Sequence, residues 1–413
     1  MTVRPARILI LTNGPLARNP RVVKEACALG AAGHAVTVLG VRNHRASVPL
    51  DAGIVSQAAC FHHEQIELLD GPRAWLRRAW SRLAREAAKR GARPTIHGLG
   101  PAICLLRAAR KHSWDLIIAH NEISHWAGLR LLHQGRRVAA DLEDWHSEDL
   151  LAEARRHRPI ALLRLQERDL LHRAAHCTTT SHALANALQL RYGGQTPFVI
   201  TNSFPLGSVR QEPDTDAIPS LLWFSQTIGP GRGLESFCAA WAATRVPSRL
   251  TLVGEDSAGY VASLRASLPP SHRGRLETLP PVAPSVLPDL IARHDVGLAL
   301  ENLVPPNKDL TISNKILQYL NAGLAVVATP TAGQREVLAC APDAGVLETF
   351  ADPAVAASVL DDLLSTPSAL RRRGQAARRL AEDVYCWEKE GPRLVEIAER
   401  SLRSTIGSTS GGG

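Results

Sequence analysis

The chain has 413 residues, 45% hydrophobic and 21% charged, with a formal net charge of +9. That length exceeds one ordinary core and sets an expectation of two domains of roughly 150–200 residues each. No apolar run approaches the roughly 18 residues that a membrane-spanning helix needs, and MTVRPARILILT has no small-residue cleavage site, so export is not expected.

ARILILT (6–12) reads as a β-strand, and Val22, Val23, Ala26 and Leu29 form a helical stripe closed by glycine. AVTVLG (35–40) follows as a second strand. Residues 72–93 form a basic segment with Trp75, Leu76, Trp80, Leu83 and Ala87 on one side and Arg73, Arg77, Arg78, Arg82, Arg85 and Lys89 around it. It has two readings: an interfacial helix on an anionic membrane, or a covering helix that packs Trp75, Trp80 and Leu83 inward. WDLIIAH (114–120), RRVAADLE (136–143) and the short strand before Ser181 continue a β/α alternation, which implies a parallel sheet wrapped by helices.

LGSVRQEPDTDAIPS (206–220) is polar and unpatterned, the expected linker. The alternation then restarts with LLWFSQ, a helix at LESFCAAWAA, RLTLVGE, RLETL, DVGLAL, a helix at SNKILQYLNAG and LAVVAT. Two α/β halves in series imply a ligand site beyond the carboxyl ends of the strands. The expected division is 1–205, 206–385, a terminal helix over 386–405 and a flexible tail over 406–413. The seven scattered cysteines never form a CxxC pair and read as buried thiols in a reducing, cytoplasmic setting. No Cys/His spacing fits a structural zinc site.

The net charge admits nucleic acid, an anionic membrane or a phosphorylated small molecule as partner. Two loops favour the last. In SQTIGPGRGLE (225–235), Gly229, Gly231 and Gly233 permit a tight turn at a helix start while Arg232 projects a positive charge. In SNKILQYLNAG (313–323), Ser313, Asn314 and Lys315 fall at another helix start, where a lysine opposes the helix dipole unless an anion completes the site. Arg232 and Lys315 are expected to grip one diphosphate, with the Gln318 amide one turn on, facing sugar hydroxyls. The alternatives are an ordinary turn and a solvated lysine. A nucleic-acid partner is not expected.

LTNGPLARNPRVVKEACALGAAGHAVTVLG, DLEDWHSED, SQTIGPGRGLE, LTLVGE, SNKILQYLNAGLAVVATPTAGQREVL and YCWEKEGPRL, in that order, resemble the retaining glycosyltransferases of family 4, which have the GT-B fold. The resemblance implies two Rossmann-like domains facing a cleft, with a C-terminal helix returning to the first. It also implies that the second half binds a nucleotide diphosphate sugar, a UDP- or GDP-sugar being the expected donor, and that no metal and no other cofactor is needed. A glycan or lipid-linked acceptor is implied for the first half, in bacterial polysaccharide, glycolipid or glycoconjugate biosynthesis.

The family's basic pair falls on Arg232 and on Gln226, so one charge is missing and Lys315 is expected to supply it. The ribose-binding glutamate of the family's Glu-x7-Glu motif falls on Gln318, and the motif's first glutamate on Leu310. Glu301 and Asn302 are candidates to replace it. Gly14 is implied as a donor-phosphate approach, Gly254 as part of the nucleotide site, and Glu143 as the residue beside the reacting sugar, with Asp144 and His146 nearby. His120, ending its strand, is a second candidate there, and Arg18 and Arg21 are expected on the acceptor side. A non-catalytic sugar-nucleotide or glycan-binding protein is the alternative, since the motif is degenerate.

Overall fold

The computed structural model describes residues 4–210 and 218–403. Residues 211–217 of the expected linker, residues 404–405 of the expected terminal helix and the expected tail lie outside the described residues. The chain divides into two compact units, one of Met1–Thr180, Leu184–Ile200 and Gly391–Gly413, the other of Ser181–Ala183 and Thr201–Glu390.

The first unit is built on seven strands: β1 (Arg7–Leu11), β2 (Ala35–Arg42), β3 (His62–Glu67), β4 (Leu116–His120), β5 (Val138–Asp141), β6 (Cys177–Thr179) and β7 (Phe198–Val199). They pair in parallel in the order β3-β2-β1-β4-β5-β6-β7. RILIL, LIIAH and VAAD are near-continuous apolar runs because these central strands are covered on both faces. Leu9, Leu11, Ile117 and Val138 belong to one buried cluster. The final helix, Trp387–Arg403, reaches this unit with its last turns: Ser401 Oγ lies 2.7 Å from His176 Nδ1, and Arg137 donates to the Leu402 carbonyl.

The second unit repeats the plan with β8 (Ser220–Ile228), β9 (Arg249–Asp256), β10 (Leu276–Leu279), β11 (Val296–Ala299), β12 (Ala325–Ala328) and β13 (Gly345–Leu347), all parallel, in the order β10-β9-β8-β11-β12-β13. Trp223, Phe237, Trp241, Leu252 and Val327 fill one face of its core. On the other face, the helix Asn314–Ala322 presses Tyr319 against Gly297, where a Cβ would come within 2.1 Å of the ring, and Tyr319 OH donates to the carbonyls of Leu222 and Leu298.

In each sheet the winding direction reverses beside the first strand, between β1 and β4 and between β8 and β11. Such switch points open a crevice beyond the strand carboxyl ends, and ligands of open α/β sheets bind there. Among the described residues no helix is long and apolar enough to cross a membrane. All seven cysteines are free thiols, but only Cys177, Cys238 and Cys386 are buried and Cys340 is exposed. The expectation of uniformly buried thiols is corrected on that point.

Candidate active site

The β8/β11 switch point gathers most of the residues singled out in the second half. β8 is irregular between Phe224 and Thr227, and this break turns Ser225 and Gln226 out of the ladder just before the loop Gly229–Gly233. Gly231 and Gly233 have φ of 72° and 76°, the left-handed turn that feeds the helix Leu234–Ala242. Asn302 Nδ2 fixes the loop by donating to the Gly231 carbonyl at 2.6 Å. Arg232 donates to Ser225 Oγ at 3.0 Å and faces no carboxylate among the described residues. Gly254, near the end of β9, has φ 153°, and any Cβ there would meet the Ser225 carbonyl at 2.6 Å. Its backbone therefore lies directly against the break in β8.

Glu301 follows β11 and is tied to β12's exit, since its N–H donates to Thr329 Oγ1 at 2.8 Å. One carboxylate oxygen, Oε1, accepts from Ser313 Oγ at 3.0 Å and from Lys315 Nζ at 2.5 Å. Burial opposes ionisation of Glu301, but Lys315 and then Ser313 outweigh it and hold the carboxyl below the ordinary carboxylate range. Lys315 Nζ also sits 5.8 Å from the Trp223 ring centroid. Ser313 is the helix N-cap as the sequence indicates, accepting from the Lys315 N–H at 3.3 Å.

Lys315 is therefore an ion-pair partner of Glu301, while Arg232 holds a separate position on Ser225. Gln318 is half-buried on the face of Lys315, one turn on, and its amide makes no hydrogen bond with a described residue. Asn314 is exposed at the helix start. Leu310 lies in the short helix Pro306–Leu310 and offers only a carbonyl, to Ser181 Oγ.

In the first unit Gly14 follows β1, with its Cβ position 3.0 Å from Asn19 Nδ2. Asn121, which sequence reasoning passed over, joins the two loops of this switch point: its Oδ1 accepts from Asn13 N at 3.1 Å and Thr12 Oγ1 at 3.2 Å. Its φ of 66° with ψ of 170° is a backbone state that costs a non-glycine residue about 1–3 kcal/mol. An asparagine directly after a strand and before a helix was the available signal.

His120 is not on the open face expected of it. It is 1% exposed, with Nε2 2.5 Å from Glu25 Oε2 and Nδ1 3.0 Å from Asp141 Oδ2. Burial lowers its pKa, but Asp141 and then Glu25 outweigh that and raise it to about 10. Arg21 is also buried, 3% exposed, gripping Asp141 through Nε at 2.5 Å and Nη2 at 3.0 Å, so it does not line an acceptor surface. Glu143 is half-buried beyond β5, its carbonyl accepting from Thr180 Oγ1 at 3.2 Å. His146 is buried and stacks obliquely 5.4 Å from His125. Among the described residues no group of three or more His, Cys, Asp or Glu is placed to hold a metal ion.

The arrangement of two similar parallel sheets is shared with solved glycosyltransferases. Sucrose-phosphate synthase from Thermosynechococcus elongatus superposes with a TM-score of 0.65 at 17% identity, over 96% of this chain and 99% of that one. Anabaena Alr3699/HepE, solved in complex with UDP and glucose, gives 0.69 at 17% over 96% and 100%. S. aureus TarM, solved with Fondaparinux, alpha-GlcNAc-glycerol and UDP, gives 0.63 at 8% over 97% and 100%. The fold is GT-B. Spore coat protein SA of Bacillus subtilis (strain 168) is 24% identical over 120 residues, which is 29% of this chain and only 30% of that protein's length. No family model matches the chain.

Proposed function

We propose that the chain is a retaining, metal-independent glycosyltransferase of the family 4 type, moving a hexose from a UDP- or GDP-sugar to an acceptor hydroxyl in bacterial glycan or glycolipid assembly. The observation that carries this reading is the β8/β11 switch point. A glycine loop there presents a guanidinium that faces no carboxylate among the described residues, and the helix Asn314–Ala322 brings Lys315 onto Glu301, which follows β11. HepE and TarM, which share the fold, were both solved with UDP.

In this reading Arg232 and the loop N–H groups hold the diphosphate, and Gln318 binds the ribose. Glu301 takes the place of the glutamate lost at Leu310: Lys315 and Ser313 occupy Oε1, and Oε2 is left to accept sugar hydroxyls. As the anomeric carbon–phosphate oxygen bond lengthens, negative charge builds on the diphosphate, and Arg232 with Lys315 stabilises it. Removing one such preorganised group typically costs about 100–1,000-fold in rate. The acceptor oxygen bonds to the anomeric carbon on the departing face, and its proton passes to the leaving phosphate oxygen. The first unit holds the acceptor.

The alternative, a protein that binds sugar nucleotides without turnover, is favoured by Leu310 at the motif position and by Gln226, which is exposed and whose side chain makes no hydrogen bond with a described residue. Nucleoside diphosphate release from UDP- and GDP-sugars, with and without EDTA, separates the two. Release that survives chelation, with an axial anomeric signal retained in the product by NMR, is expected. Tight binding without release would replace the enzyme reading, and loss on chelation would overturn metal independence.

A further inference from the structure

The helix Pro72–Lys89 is mounted inside out. Ala74 and Ala88 are its buried residues, whereas Trp75, Leu76, Trp80 and Leu83 are 61, 59, 60 and 61% exposed. The packed alternative read from the sequence is therefore not what this helix does. A covering helix buries its large apolar stripe and shows its small and charged residues; here the stripe faces out. Beside it opens a cavity of about 350 Å³, lined by Leu76, Trp80, His97, Pro101, Ile103 and Cys104, and Ile103 at 38% exposure extends the apolar surface.

Six of the seven charged side chains on the helix are basic. The one acid on the helix, Glu86, pairs with Lys89 at 2.9 Å. Arg77 and Arg78 donate to carbonyls of the segment Glu67–Leu69, and Arg85 donates to the Gly98 carbonyl. Arg73 and Arg82 are exposed and have neither a hydrogen bond nor an ion pair with a described residue. A second copy of the same face would set arginines against arginines, a costly juxtaposition. A nucleic acid would neutralise the cations but leave Leu76 and Leu83 without an apolar medium. An anionic bilayer surface satisfies both, with tryptophan rings at headgroup depth and arginines at the phosphates.

We propose that this face docks the chain on an anionic lipid leaflet, lying in its plane, with an acyl chain entering the cavity beside Trp80. The proposal goes beyond glycosyl transfer and stands or falls apart from it. The test is flotation of the full chain with phosphatidylcholine vesicles, with and without phosphatidylglycerol, followed by tryptophan emission. Binding to the phosphatidylglycerol vesicles alone is expected, with a blue shift, quenching by chain-brominated lipid, and release by high salt. Arg73→Gln with Arg82→Gln should weaken partition about 25-fold, at about fivefold per cation, without altering the melting curve. Trp75→Ser with Trp80→Ser should abolish the blue shift. Equal binding to both vesicle types, no binding to either, unchanged partition of the arginine variant, or lipid-free dimers through this face would overturn the proposal.

Discussion

Burying an imidazolium costs several kcal/mol unless carboxylates face it, and His120 has two. Its folded pKa, raised to about 10, lies above the ordinary 6.5, so its contribution to stability is complete below 6.5 and is lost as the pH rises through about 10. Asp141 runs the other way. Burial raises it, but Arg21 and His120 outweigh that and hold it below 3.8, so its contribution is present above 3.8 and is lost as the pH falls through the depressed value. Denaturant melts of the wild type should therefore weaken from pH 6.5 to 10, and His120→Gln, less stable throughout, should lose most of that slope. An identical alkaline slope in the variant would show that His120 is not the titrating group. None of this was legible locally. A strand-end histidine before a turn looks accessible, and its partners Glu25 and Asp141 lie on a different helix and a different strand. Arg21 likewise reads as a surface residue by type, and only the fold brings Asp141, 120 positions away, to neutralise it.

Elements were legible where period and cap agreed. Ser313, the apolar spacing of Ile316, Leu317 and Leu320, and Gly323 fix the helix Asn314–Ala322 from sequence, and the structure ends it with Gly323 at φ 74°. What the pattern did not show is the second use of Ser313, whose hydroxyl also bonds Glu301. Ser313→Ala removes the cap, worth about 1 kcal/mol, and should lower the melting temperature by about 2–4 °C for a unit of this size. Ser313→Thr, which keeps the hydroxyl, should recover most of it; equal loss in both variants would assign the effect to side-chain fit instead. Of the edge strands, β10 was read from RLETL, but those of the first sheet were not. β3, HHEQIE, and the two-residue β7 carry little apolar period because an edge needs only partial burial. The basic helix Pro72–Lys89 had its amphipathic pattern readable but not the face it turns inward, since the deciding contact is made by alanines.

At the scale of the molecule, the β/α alternation and the restart after the polar segment carried the architecture. The same strand order in both sheets, with a reversal beside the first strand of each, then puts Arg232 and Glu301 at one switch point although 69 residues separate them. Loop Gly229–Gly233 was legible as a turn because its glycines supply the left-handed backbone that Gly231 and Gly233 adopt before the helix Leu234–Ala242. The Glu301–Lys315 pair was not, because a sequence shows two charges without showing that one has claimed the other. In the proposed function, this switch point holds a nucleoside diphosphate through Arg232. Binding to the native state alone raises the melting temperature, by about 2.7 kcal/mol of stability at a hundredfold excess over the dissociation constant. The most direct measurement is thus the melting temperature of wild type and Arg232→Ala with UDP, GDP, ADP and dTDP. At least one nucleotide should raise the wild-type melting temperature, with the rise largely lost in Arg232→Ala, whereas no rise with any nucleotide, or an equal rise in the variant, would contradict it.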